Sequence, residues 1–173
     1  MKNLIVDVDG VLTTGQMIYS SKGKEFKIFG ADDNDALSLL SKKISIHMIS
    51  GDKNGFPISS KRVKEHMGYP ISLVSTFNRV QWIKSNFSLK ETIYIGDGIF
   101  DFLVFDKVAY AIAPQNAHPS AKKAADFITD SKGGEGAVAE ACLHILKKFF
   151  DISDIKLLIT QSDSISSWKT GKK

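Results

Sequence analysis

The chain has 173 residues, 43% apolar and 24% charged, enough for one hydrophobic core and unlike a disordered or membrane-embedded chain. Its 23 Lys and Arg against 19 Asp and Glu leave a formal charge of +4, and no segment gathers the cations with interleaved aromatics as a nucleic-acid face would. A single cysteine, Cys142, excludes an internal disulfide and a cysteine-rich zinc site.

The residues from Met1 to Val8 hold one lysine and a short apolar run, far short of a secretory signal or a membrane span, so the cytoplasm is the expected location. Leu4, Ile5 and Val6 run without alternation into Asp7, the pattern of a strand covered on both faces. Gln16–Ser20 and Glu25–Phe29 flank Ser21-Lys22-Gly23-Lys24 and predict a β-hairpin. Further apolar runs at Ile44–Ile49, Thr92–Ile95 and Val108–Ile112 predict strands. Helices are predicted over Ala36–Leu40, Ser59–Met67, Val80–Phe87 and Ala137–Phe149. Strands alternating with helices give a Rossmann-like α/β fold, a parallel sheet with helices on both faces and right-handed crossovers. The domain is assigned to residues 1–150 and a tail, rich in Ser and Lys toward its end, to residues 151–173. The intervals from Gly10 to Ser50 and from Ser50 to Asp97 are consumed by these elements, so no cap domain is expected.

Ligands of an open α/β sheet bind beyond the carboxyl ends of its strands, so the polar residues that end the apolar runs should converge. The first run ends Asp7-Val8-Asp9-Gly10, the second Ile49-Ser50-Gly51, and the third leads to Gly96-Asp97-Gly98-Ile99-Phe100-Asp101. Asp7, Asp9, Asp97 and Asp101 at one sheet edge would repel one another unless a cation neutralised them. An all-oxygen set without His or Cys suits Mg²⁺ and disfavours zinc. Such a cation also draws in a phosphate ester. A lone Asp-x-Asp is most simply a loop or a helix cap; the ordered combination with Ser50, Asp97 and Asp101 carries the metal-phosphate reading.

This set of motifs resembles the haloacid dehalogenase-like phosphatase superfamily, with Asp-x-Asp after the first strand, Ser or Thr after the second, a basic residue, and then Gly-Asp-x-x-x-Asp. The Asp7–Thr13 start followed by a hairpin, Ala117-His118-Pro119, and Gly133-Gly134-Glu135-Gly136-Ala137-Val138 narrow the resemblance. They point to the cap-less 3-deoxy-D-manno-octulosonate 8-phosphate phosphatases and the similar nonulosonate 9-phosphate phosphatases.

The resemblance implies a Mg²⁺-dependent phosphomonoesterase acting on a sugar-acid phosphate. Asp7 would be the nucleophile that forms an aspartyl-phosphate, and Asp9 the acid that protonates the leaving oxygen and then activates water. Asp7, the backbone carbonyl of Asp9, and Asp97 would hold the metal, with Asp101 in support. Ser50 and the Gly51 amide would bind phosphoryl oxygens. Arg79 stands where the family usually has lysine, with Lys84 as the alternative cation. Lys53 and Arg62 would meet the sugar acid. Neighbours' hairpins and carboxyl-terminal tails would close the open site in a homotetramer, and neither nucleic acid nor membrane is an expected partner.

Three departures bear on the substrate. Ala31-Asp32-Asp33-Asn34-Asp35 replaces the usual Arg-Asp-Gly run, with Asp33 at the aspartate; Ala139-Glu140 replaces Arg-Glu; and Asn54-Gly55-Phe56-Pro57 lengthens the approach to the second helix. The alternative function is a catalytically impaired sugar-phosphate-binding or assembly module, against which the retention of both Asp7 and Asp9 argues. Gly133–Gly136 is read either as a loop or as a segment that closes on a neighbouring subunit.

Overall fold

The computed structural model describes residues 1–156 and Leu158; Thr160–Lys173, the Ser- and Lys-rich end of the expected tail, lies outside the described residues. In chain order the elements are β1 (Asn3–Asp7), β2 (Thr13–Ser20), β3 (Gly23–Phe29), α1 (Asp32–Leu40), β4 (Ser45–Ser50), α2 (Phe56–Ser60), β5 (Ile71–Leu73), α3 (Arg79–Asn86), β6 (Thr92–Ile95), α4 (Phe102–Phe105), β7 (Tyr110–Ala113), α5 (Pro119–Ala124), β8 (Phe127–Ile128) and α6 (Ala137–Phe150). Strands β5-β4-β1-β6-β7-β8 form one parallel sheet, and β2-β3 form a separate antiparallel hairpin. This is the Rossmann-like architecture expected, with no cap.

The uninterrupted apolar run of β1 follows from its central place. Leu4 and Val6 pack into the core on one face of the sheet while Ile5 packs into the core on the other, so every position must be apolar. Parallel pairing sets Asp7 opposite Ile49 of β4 and Val6 opposite Ile95 of β6, which brings the three strand ends to one edge. The edge strands β5 and β8 escaped the sequence reading because each is short and lacks an apolar run.

The first face is covered by α1 and α6. Helix α6 buries Ala137, Val138, Ala141, Cys142, Ile145 and Leu146, a stripe at helical spacing, in the same core as Ala36, Leu37 and Leu40 of α1. Helix α1 begins at Asp32, earlier than expected, and its first turn holds Asp32, Asp33 and Asp35, charges that suit the positive end of a helix. Asp33 is 2% exposed, and its Oδ1 accepts a hydrogen bond from the Ala139 amide at 2.9 Å. That bond satisfies an amide in the first turn of α6, whose capping residue Gly136 has no side chain to offer. Asp33 therefore joins α1 to α6.

The segment at Gly133 packs within its own chain. Gly134 N–H donates to the Val11 carbonyl at 2.9 Å and Gly133 N–H to Asn116 Oδ1 at 2.8 Å. A Cβ on Gly133 would lie 1.9 Å from the Gly10 carbonyl oxygen, so only glycine allows this approach. The two glycines are buried against the turn that follows β1, which they brace.

Candidate active site

The chain after β1 winds through a tight turn over Val8–Leu12 before entering the hairpin. Gly10 adopts φ 87°, and a Cβ there would lie 1.9 Å from Asp97 Oδ2, so the backbone passes directly over that carboxylate. Thr13 Oγ1 accepts from the Gly10 amide at 3.1 Å and donates to the Val8 carbonyl at 3.3 Å, which closes the turn. Asp7, the last residue of β1, accepts from the Val8 amide through Oδ1 at 2.8 Å. Its other oxygen is left for a cation.

That cation is Arg79, the first residue of α3, 5% exposed. Its Nη1 donates to Asp7 Oδ2 at 2.5 Å, to Asp101 Oδ1 at 2.7 Å and to the Tyr94 hydroxyl at 2.8 Å. Tyr94 donates in turn to Asp101 Oδ1 at 2.9 Å, and the Gly98 amide donates to Asp101 Oδ2 at 2.8 Å. Arg79 Nη2 lies beside Gly51, 3.7 Å from where a Cβ of that residue would be. Lys84 is exposed later on α3, so Arg79 and not Lys84 meets the carboxylates.

Asp9 turns to a second cluster. Its Oδ1 accepts from Lys27 Nζ at 2.6 Å and its Oδ2 from Ser50 Oγ at 2.7 Å. Lys27 also donates to Ser59 Oγ and pairs with Asp52 Oδ2, each at 2.8 Å, while Lys24 pairs with the same Asp52 oxygen. Burial pushes the Asp52 carboxyl up, but hydrogen bonds from Lys24, Lys27 and the Gly55 amide outweigh it and hold it down at about 2.

A cavity of about 270 Å³ opens between these clusters. Asp7, Asp9, Gly51, Arg79, Asp97 and Asp101 line it, with Asp52, Thr76, Gly98, Ile99 and Phe100 completing its wall. Ser50 is fully buried behind it. Lys53 is exposed and Arg62 half-buried, and neither lines the cavity. The loop is fixed by Asp52, whose Oδ1 accepts from the Gly55 amide at 3.0 Å, and it is Asp52 that faces the cavity.

Burial raises the Asp7 carboxyl; Arg79 offsets part of this and the Asp101 and Asp97 charges add to it, leaving a pKa of about 8. Burial, then the Asp101 charge, raises Asp97 to about 7. Arg79 stays charged because Tyr94, Asp7 and Asp101 outweigh the cost of burying it. Asp7, Asp97 and Asp101 each place a carboxylate oxygen within 4.8 Å of the others. A crowded, all-oxygen trio of this kind suits Mg²⁺. The Asp9 side chain, engaged by Lys27 and Ser50, stands apart from that trio.

Lys27, Asp52 and Tyr94 were missed in the sequence. Tyr94 carried a usable signal, since a tyrosine inside a buried apolar run needs a partner for its hydroxyl. Lys27 carried none.

Comparison with known proteins points to one family. Residues 77–142 match the model of the haloacid dehalogenase-like hydrolase family. The 3-deoxy-D-manno-octulosonate 8-phosphate phosphatase of Escherichia coli is 30% identical over 150 residues, covering 80% of this chain and 76% of that protein. The fold matches the structure of the Moraxella catarrhalis 3-deoxy-D-manno-octulosonate 8-phosphate phosphatase in complex with magnesium, phosphate and 3-deoxy-octulosonate. That match has a TM-score of 0.79 and 30% identity, over 93% of this chain and 92% of that one. It also matches the cobalt-bound deoxy-D-mannose-octulosonate 8-phosphate phosphatase of Haemophilus influenzae, with a TM-score of 0.76 and 28% identity over 91% and 96% of the two chains.

Proposed function

The chain belongs to the 3-deoxy-D-manno-octulosonate 8-phosphate phosphatase family of haloacid dehalogenase-like hydrolases, and on that footing we propose that it hydrolyses a sugar-acid phosphate with Asp7 as nucleophile. The observation that carries this reading is the meeting of Asp7, Asp97, Asp101 and Arg79 in the wall of one cavity. The substrate is a 3-deoxy-octulosonate 8-phosphate or a nonulosonate 9-phosphate. The ligands of the Moraxella relative favour the first.

An Asp7 oxygen forms a bond to phosphorus as the bond to the leaving oxygen breaks, and Asp9 gives that oxygen its proton. Water then attacks the aspartyl-phosphate, loses its proton to Asp9, and displaces Asp7. Arg79 offsets charge on the phosphoryl oxygens, and Ser50 with the Gly51 amide would donate hydrogen bonds to them. Asp7, Asp97 and the Asp9 carbonyl, supported by Asp101, would hold Mg²⁺, which supplies charge neutralisation to the carboxylates and the phosphoryl group.

A panel of phosphate esters tests this. With Mg²⁺ present, kcat/KM for the preferred sugar-acid phosphate is expected to exceed that for hexose phosphates by about tenfold or more, and chelation with EDTA should abolish turnover. Equal weak rates across the panel would contradict the sugar-acid reading. No phosphate released from any ester would favour a binding module instead.

The same reading includes a homotetramer. The hairpin exposes Met17, Ile18, Tyr19, Phe26 and Ile28, with Tyr19 63% and Phe26 62% exposed, while Phe77, Ile99 and Phe100 are exposed near the cavity mouth. The exposed apolar side chains gathered on that hairpin support association with further copies of the chain. Light scattering should give the mass of four chains, and Ile18→Glu with Phe26→Glu should lower both the mass and the turnover. A fully active monomer would contradict the assembly.

A further inference from the structure

The hairpin reaches into the candidate site as well as outward. From β3, Lys27 sends its side chain inward until it is 1% exposed, and its ammonium meets three partners: Asp9 Oδ1 at 2.6 Å, Asp52 Oδ2 at 2.8 Å and Ser59 Oγ at 2.8 Å. An ammonium has three hydrogens and no lone pair, so all its donors are used and it can accept nothing. Burying such a charge is costly, and an apolar side chain would fill the space with less penalty. Asp52 is held independently by Lys24 and the Gly55 amide, so the contact that Lys27 alone supplies on the cavity side is the one to Asp9.

That contact makes the two oxygens of Asp9 unequal. Oδ2 accepts from Ser50 Oγ at 2.7 Å, and that Oγ accepts in turn from the Asp52 amide at 3.2 Å. We propose that Lys27 is a positioning residue of the reaction, holding Asp9 by Oδ1 and so fixing the direction in which Oδ2 points.

The proposal rests on Asp9 being the acid, and its steps balance. The Oδ2–H bond breaks and the proton goes to the leaving oxygen as that oxygen parts from phosphorus and Asp7 bonds to it. In the second half a water oxygen bonds to phosphorus, its proton returns to Oδ2, and the bond from Asp7 to phosphorus breaks. Lys27 keeps its three protons throughout.

The test compares two esters on the full chain with Mg²⁺: p-nitrophenyl phosphate, whose leaving group needs no proton, and 3-deoxy-D-manno-octulosonate 8-phosphate, whose alkoxide does. Lys27→Met is measured beside Asp9→Asn. Because Lys27→Met leaves Asp9 and Asp52 buried without that ammonium, the pair Lys27→Met with Asp52→Asn, which removes one charge of each sign, is measured as well. Thermal melting checks that each is folded. The expected result is a fall in kcat of about 10²-fold on the sugar phosphate with a much smaller change in KM, and a loss about tenfold smaller on the aryl ester, the pattern also expected of Asp9→Asn. Equal losses on both esters, or no loss in the double variant, would overturn the role of Lys27 while Asp9→Asn kept its pattern. If no Lys27 variant folds, Lys27 is structural and the proposal is overturned. If Asp9→Asn itself fails to distinguish the esters, the acid assignment falls and this proposal with it.

Discussion

Asp7→Asn is expected to bring hydrolysis down to background for every ester. The amide keeps the shape of the side chain but lacks the charged oxygen that attacks phosphorus. Folding should survive, because Arg79 keeps its buried pair with Asp101 at 2.7 Å when the Asp7 charge is removed. Phosphate binding should persist or tighten, since a like charge beside the phosphate is removed. Asp9→Asn should act differently. General acid and base assistance is worth about 10²–10⁴-fold, so a residual rate remains, greatest for esters with good leaving groups. Steady-state assays with an aryl and a sugar phosphate, together with phosphate titration by calorimetry, check both variants. Near-normal turnover by Asp7→Asn would refute the nucleophile assignment.

Arg79→Met should damage the protein as well as the reaction. It strips the shared cation from Asp7 and Asp101, both buried, and removing one member of a buried ion pair costs about 3–5 kcal/mol. Denaturant unfolding without metal should show that loss, and Mg²⁺ should recover part of it by neutralising the same carboxylates. Arg79→Lys should be far milder. All three contacts of Arg79 converge on Nη1, which has only two hydrogens for three oxygens, whereas a lysine ammonium has three. The guanidinium is used here as a point charge, so its replacement by lysine forfeits little of the forked geometry that usually separates the two residues. An Arg79→Lys protein as unstable as Arg79→Met would contradict this.

What could be read in the sequence, and what could not, divides along physical lines. Asp7, Ser50 and Asp97 stand at the ends of strands buried on both faces, where an apolar run stops at a polar residue, and the parallel register then brings them to one edge. Lys27 lies in a hairpin strand with exposed neighbours, and its partners Asp9, Asp52 and Ser59 come from the first turn and from the chain after β4. Only the folding of the hairpin across that loop creates the cluster, so no local spacing announces it. Lys53 and Arg62 carry the right charge and lie near Ser50 in sequence, yet the Asp52–Gly55 bond orients the loop so that Asp52 lines the cavity. Asp33 matched the family's aspartate by position; its contact with the Ala139 amide, 106 residues away in the chain, is a tertiary fact.

The central claim is that Asp7 becomes phosphorylated, and trapping that state tests it most directly. Asp9→Asn protein mixed with Mg²⁺ and a radiolabelled aryl phosphate should form the phosphoenzyme, since the leaving group needs no acid, and should lose it slowly, since the base that activates water is gone. Acid quenching within the first turnover should leave label on the protein, on the peptide that carries Asp7, and Asp7→Asn in the same background should leave none. Release of the aryl alcohol without label on the protein, or label on a peptide lacking Asp7, would contradict the mechanism.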